Sequence, residues 1–166
     1  IPVTEELENE LFEFWDEIFG RNPDLPRGAL LGDESEHNGN LLYLDKRLEG
    51  IAGTCLTTTC RTVPSLGIFG FVATSTSARR SGIATELCGQ AVRDFRAAGG
   101  GILFLGTGNP EAARIYHRLG WRQMAGSTVW ANVSDDASPE EFLVDYFRPQ
   151  GEISVRVASP AERVPM

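Results

Sequence analysis

Residues 66–74 (LGIFGFVAT) and the junction that follows them limit the folds open to this chain more than any other stretch. The run is apolar almost throughout. Pro64 breaks the pattern before it, and a run of this length bounded by a breaker reads as a strand. Because polar residues do not alternate along it, neither face suits water, and the strand belongs inside a sheet covered on both sides. Six residues beyond Thr74, Arg80-Ser81-Gly82-Ile83-Ala84 opens a helix. Its buried stripe is Ile83, Leu87, Cys88, Ala91, Val92 and Phe95, and Gly99-Gly100-Gly101 stops it.

The neighbouring segments supply the rest of such a sheet. Residues 4–19 form an amphipathic helix, with Leu7, Leu11, Phe14, Trp15 and Ile18 at three- and four-residue spacing. Thr4 caps it, Glu5 and Glu6 sit in its first turn, and Gly20 ends it. Residues 21–40 read as loop with room for a short helix. Residues 40–46 and 51–62 are strands joined at Glu49-Gly50, the second rich in β-branched residues that include Thr57, Thr58 and Thr59. Residues 102–107 are a short buried strand. Asn109 caps a helix over residues 110–119, with Pro110 in its first turn and Gly120 after its end. Residues 121–124 and 128–134 form a strand pair. Ser138-Pro139-Glu140-Glu141 is a capping box that starts a further helix, which Pro149 terminates. Residues 152–157 read as one more strand. A hairpin-linked run of strands followed by alternating elements predicts a mixed sheet with helices on its faces.

At 166 residues the chain fits one domain with a short appendage. Its formal net charge of −8 argues against nucleic acid or an anionic membrane as partner. No apolar run approaches the roughly 18 residues of a membrane span, and no basic-then-apolar leader opens the chain. Cys55, Cys60 and Cys88 do not read as a disulfide framework; they read as small buried hydrophobes in a reducing compartment, which predicts a cytoplasmic protein. Cys55 and Cys60 fall on opposite faces of their strand. No Cys/His spacing suggests a metal site, so no metal is expected.

The charge is uneven. Residues 1–20 carry seven acids and no base, whereas residues 79–122 carry seven Arg against Glu86, Asp94 and Glu111. A basic centre within an acidic protein suits a polyphosphate ligand, although clustering on solvated helix faces also produces one. The backbone N–H groups at the start of the helix after Gly82 are unsatisfied within the helix, and the helix dipole adds positive character there. Gly82 and Ala84 lack bulk, so an anion can come close. Arg79 and Arg80 add full charges. Together these make a pyrophosphate cradle.

A second motif follows. Asn109 is separated by six residues from Tyr116, and Gly120-Trp121 comes after them. With the Arg79-x-x-Gly82-x-Ala84 loop, this resembles the GNAT superfamily of N-acetyltransferases over residues 40–134. That family has Arg/Gln-x-x-Gly-x-Gly/Ala after its fourth strand, then Asn, six residues, Tyr and Gly-Phe. The resemblance implies an α/β (α+β) fold: a mixed, mostly antiparallel sheet with helices on both faces, split beside residues 72–74. It implies that the backbone of Val72, Ala73 and Thr74 pairs with the pantetheine arm of acetyl-CoA. It also implies that the N–H groups of Arg80, Ser81, Gly82, Ile83, Ala84 and Thr85, with Arg79, hold the pyrophosphate. Asn109 would contact the cofactor, and Tyr116 would protonate the departing thiolate, as a phenol placed beside it is able to do. Read only from its helical spacing, Tyr116 is a packed core aromatic.

The implied activity is acetyl transfer from acetyl-CoA to a primary amine, on a small molecule or a peptide. The rival expectations are a non-catalytic CoA-binding module, regulatory or half of a tandem protein, and a phosphate-binding domain sharing only the glycine loop. The family's general base, often a Glu five residues before the Asn, is here Phe104, and residues 65–74 hold no carboxylate. Three expectations stay open: a base reached through water, a base from the loop acids Asp33, Glu34 or Glu36 with His37 beside them, or no base at all; His117 points away from Tyr116 and is expected on the surface. The acidic first helix suits a cationic acceptor. Residues 1–150 are expected to be the acyl-CoA-binding domain. Residues 151–166 are a strand and tail. They either fill the family's first-strand slot, in the same chain or in a homodimer, or begin a second, similar domain.

Overall fold

The computed structural model describes residues 3–20, 30–135, 137–148, 151 and 155. A six-stranded sheet in the order β1-β2-β3-β4-β6-β5 forms its centre. The strands are β1 (Asn38–Arg47), β2 (Gly50–Cys60), β3 (Leu66–Thr74), β4 (Ile102–Gly106), β5 (Arg122–Gln123) and β6 (Val129–Val133). Every neighbouring pair is antiparallel except β3 and β4. The helices are α1 (Glu5–Phe19), α2 (Ile83–Ala97), α3 (Pro110–Arg118) and α4 (Pro139–Tyr146).

The alternation of side chains along the strands assigns the helices to faces. On β4, Leu103 and Leu105 join Cys55 and Phe69 beneath the Cys88, Ala91, Val92 and Phe95 stripe of α2 and beneath Tyr116 of α3. Ile102 and Phe104 point the other way and pack with Phe142 and Leu143 of α4. On that second face, Leu11, Phe12, Phe14 and Trp15 of α1 cover Ile51, Leu56 and Ala73. Both faces of β3 and β4 are therefore covered, as the unbroken apolar runs require, with Ile68, residues 70–72 and Thr74 of β3 half-buried. Fully burying any one of Trp15, Phe69 or Phe104 stabilises the fold by roughly 1.5–3 kcal/mol relative to exposure.

The boundaries shift slightly from those read in the sequence. β2 ends at Cys60, two residues before Thr62, because Cys60 pairs with Asn38, the first residue of β1. The pair at 121–124 and 128–134 contracts to Arg122–Gln123 and Val129–Val133, since residues 124–127 close a turn through the Ser127 N–H and the Met124 carbonyl. Within the expected 21–40 loop, Asp33–Glu36 forms a 3-10 turn and Asn38 already begins β1. The three cysteines are free and buried, with Cys55 and Cys60 in clusters on opposite faces. The strand expected at 152–157, and with it the proposed use of the tail, lies outside the described residues except for Val155, which is exposed.

Candidate functional site

Among the described residues β3 and β4 are the one parallel pair, and they stay together only from Leu66/Ile102 to Ile68/Phe104. Beyond that, β3 follows β2 to Thr74 while β4 follows β6 to Gly106. The sheet opens into a wedge between them. Along it, residues 69–74 of β3 and 105–106 of β4 turn backbone edges toward each other with no strand ladder to satisfy them. A slot lined by such groups favours a ligand that carries amides of its own.

A bulge accompanies the opening. Thr54 pairs with Ala73 and Leu56 with Gly70, so Phe71 and Val72 together oppose Cys55. Phe71 has φ 51°, a left-handed conformation that costs a bulky residue energy. The extra residue reverses the alternation. Phe69 and Val72 both face α2, while Phe71 and Ala73 face α1. Such a bulge bends the strand and raises its twist. Three contacts hold it: the Trp15 indole N–H donates to Thr54 Oγ1 at 2.9 Å, the Thr54 hydroxyl donates to the Phe71 carbonyl at 2.8 Å, and the Trp15 ring lies 4.5 Å from the Phe71 ring.

At the mouth of the wedge, β3 passes through a 3-10 turn (Thr76–Ala78) into the loop before α2. Ser81 Oγ donates to the Ala78 carbonyl at 2.5 Å. Arg80 and Gly82 both have positive φ, 63° and 88°. Thr4, Asn109 and Ser138 cap α1, α3 and α4 with side-chain oxygens, but Gly82 begins α2 with no side-chain cap. The first-turn N–H groups of α2 are thus the ones left for an external acceptor. Nothing lies within 4 Å of a Cβ placed on Gly82, so the space before them is open. Gly53 explains how α2 comes so close to the sheet: a Cβ there would collide with Ile83 Cγ2. Arg79, Arg80, Ser81, Gly82 and Thr85 are exposed, Ala84 is half-buried, and Ile83 is the buried anchor.

The seven arginines of residues 79–122 do not act together. Arg96 donates to Asn132 Oδ1 and to the Val133 carbonyl, Arg118 to the Arg114 carbonyl, and Arg93 to Gln90. Arg79 and Arg80 stand at the loop and make no ion pair among the described residues.

From the other side of the wedge, β4 leads to Asn109, whose Oδ1 accepts from the N–H of Glu111 at 2.9 Å and of Ala112 at 3.5 Å. Two turns on, Tyr116 is 5% exposed, its ring 6.3 Å from Phe69 and 5.8 Å from Trp121. Burial, and then the neighbouring Cys88 and Cys55 thiols, push its phenol well above the ordinary range, so it keeps its proton. Tyr116 is therefore a packed core aromatic and, through Phe69, a neighbour of the wedge strand. Phe104 is fully buried in the opposite core. His37, His117 and Glu36 are exposed.

Sequence spacing did not single out a cleft of about 650 Å³ beside the loop. Glu10, Glu13 and Glu17 of α1 line it, together with Arg47, Glu49 and the Ser75–Ala78 segment. The three α1 carboxylates recur at three- and four-residue spacing, which puts them on one helix face. That pattern was visible in the sequence; which face turned toward β3 was not. Glu10 pairs with Lys46 at 2.6 Å. Among the described residues no cluster of three His, Cys, Asp or Glu side chains is able to hold a metal ion, and no helix is long and apolar enough to cross a membrane.

Residues 4–121 match the family model described as "Acetyltransferase (GNAT) family". No curated protein sequence matches the chain. Among solved structures, it is similar to a GNAT-family acetyltransferase from Staphylococcus aureus Mu50 at TM-score 0.65 and 15% identity, over 81% of this chain and 97% of that one. It is similar to the ribosomal-protein-S18-alanine N-acetyltransferase from Escherichia coli at TM-score 0.62 and 12% identity, over 84% and 95%. An aminoglycoside 6'-N-acetyltransferase complexed with coenzyme A matches at TM-score 0.61 and 12% identity, over 79% and 92%. At these identities the likeness is one of fold.

Proposed function

This chain belongs to the GNAT acetyltransferase family, and from that premise we propose that it transfers an acetyl group from acetyl-CoA directly to a primary amine. The observation that carries the reading is the uncapped first turn of α2, with open space before Gly82, at the mouth of the β3–β4 wedge. In this reading the N–H groups of residues 80–85 take the pyrophosphate, Arg79 and Arg80 add charge, and the wedge-facing edge of residues 72–74, beyond the end of the β3–β4 pairing, receives the pantetheine amides. Asn109 keeps the start of α3 beside them. Acetyl-CoA, when bound, supplies a thioester carbonyl open to attack.

The chain's own groups then have four tasks. Backbone N–H groups near Thr74 take the negative charge that develops on the carbonyl oxygen. The acidic cleft binds a cationic amine; one of its carboxylates or a water takes a first proton to free the attacking lone pair, and water takes a second from the nitrogen once the C–N bond has formed. The new C–N bond forms as the C–S bond breaks. Tyr116 passes its phenolic proton to the departing sulfur and regains one from water, which leaves an amide and a free thiol. The acceptors named for two similar structures, an aminoglycoside and a ribosomal protein's alanine, span a small molecule and a peptide amine, and the proposed acceptor of this chain belongs to one of those two classes.

A second reading, CoA binding without catalysis, is favoured by two observations: the near-complete burial of Tyr116 and the apolar Phe104 where the family often has a carboxylate. Thermal melting tests the first step. At a hundred times its Kd, acetyl-CoA should raise the melting temperature by about 5–10 °C. The rise should vanish in Gly82→Trp, each protein being compared with its own ligand-free form. No rise in the wild type sinks the acyl-CoA reading. A rise without turnover across an amine panel selects the second one.

A further inference from the structure

We propose that Thr54, held by Trp15, is a positioning residue for acetyl transfer: it locks the β3 bulge whose backbone faces the wedge. This rests on the function proposed above. Phe71 is a bulky residue in a left-handed conformation, φ 51°, and that conformation persists only where the surroundings over-determine it. The surroundings here are specific. Thr54 is fully buried on β2, one residue before the Cys55 that faces the bulge. An extended strand has no use for a buried hydroxyl, but this one donates to the Phe71 carbonyl at 2.8 Å. That carbonyl belongs to the bulged residue itself, where the ladder to β2 is broken.

The hydroxyl oxygen is fixed in turn. The Trp15 indole N–H, from a helix thirty-nine positions away in sequence, donates to it at 2.9 Å. With that donor in place, the Thr54 proton is directed to Phe71. The Trp15 ring then covers the Phe71 ring at 4.5 Å, closing the unit from the α1 side. The indole N–H, the Thr54 hydroxyl and the Phe71 carbonyl each have a partner in this chain, the condition under which a buried network rigidifies its surroundings. What it rigidifies is the turn of β3 that aims residues 72–74 into the wedge. The indole and the hydroxyl touch none of the reacting atoms in this arrangement; they act through the backbone. Small displacements of such backbone donors have large kinetic effects, because their stabilisation depends on aim.

The decisive variants are Thr54→Val, which keeps the shape and deletes the hydroxyl, Thr54→Ser, which keeps the hydroxyl, and Trp15→Phe, which deletes the N–H. Two readouts are taken. Amide hydrogen exchange over residues 69–74, without any ligand, should quicken about tenfold in Thr54→Val and return toward wild type in Thr54→Ser. Steady-state kinetics should show kcat falling about tenfold or more in Thr54→Val, with KM for acetyl-CoA within about twofold of wild type. Thr54→Ser should recover most of kcat, and Trp15→Phe should fall between. Unchanged exchange in Thr54→Val overturns the proposal. So does quickened exchange with unchanged kcat, or a loss that appears wholly in KM. If Thr54→Val does not fold, Trp15→Phe bears the same criteria. A wild-type protein that turns over no amine defeats the proposed function instead, and exchange then decides whether Thr54 holds the bulge.

Discussion

Tyr116 and Gly82 carry the sharpest expectations at the scale of single residues. Burial, then the Cys88 and Cys55 thiols, raise the Tyr116 phenol above its ordinary 10.0. A folded-state pKa above the unfolded one means that the native state holds the proton longer. The contribution is therefore complete below pH 10 and is lost as pH rises toward the folded value. Between pH 9 and 11 the wild-type melting temperature should fall, and Tyr116→Phe should fall less steeply. Some slope will remain, because burial and Asp94 also raise Tyr43. Equal slopes would show that Tyr116 is solvated in the native state. In the proposed chemistry the same variant loses the proton donor while keeping the ring packed on Phe69 and Trp121. Its kcat should drop by about 10²-fold or more at pH 7, with its melting temperature there little changed. Wild-type kcat in Tyr116→Phe would remove the acid role.

Among the helices, the starts of α2 and α3 make an instructive contrast. Asn109 has a structural task that is complete without any ligand, since its Oδ1 caps α3. Asn109→Ala should cost about 1 kcal/mol in denaturant unfolding. Asn109→Asp caps equally well, but it sets a negative charge at the proposed site of an anionic cofactor. It should unfold like the wild type while binding acetyl-CoA about tenfold more weakly by calorimetry. If both variants bind normally, Asn109 is a cap and nothing more. The helix α2 has the opposite design, with no side chain spent on its first turn.

Over the whole molecule, the net charge of −8 opposes a polyanionic ligand, and Arg79 and Arg80 answer it locally. Both are exposed, so their attraction is screened by salt. Acetyl-CoA affinity should fall severalfold between 50 and 500 mM salt, and Arg79→Gln/Arg80→Gln should be weaker at low salt and nearly salt-independent. A slope that survives the double substitution would place the attraction on other groups. The acids of α1 line the cleft beside the Ser75–Ala78 segment, and in the proposed reaction they would favour a cationic acceptor while Arg79 and Arg80 favour the anionic donor.

Periodicity, breakers and capping residues act within a few positions of themselves, and so the amino-acid sequence alone determined the elements: the buried β3, the glycine start of α2, the Asn109 and Ser138 caps, and the order that makes a mixed sheet. It also determined the paired Arg79–Ala84 and Asn109–Tyr116 motifs, because their chemistry depends on spacing along adjoining strand–helix units. Only the tertiary structure decided the rest. Three pairings made the β3–β4 wedge, and one extra residue opposite Cys55 made the bulge; register belongs to two strands at once. Packing buried Tyr116 and turned Glu10, Glu13 and Glu17 toward the Ser75–Ala78 segment. It also brought Trp15 onto Thr54, a contact across thirty-nine positions that no local pattern encodes. These features depend on groups far apart in the chain, and they exist only once the sheet has brought those groups together.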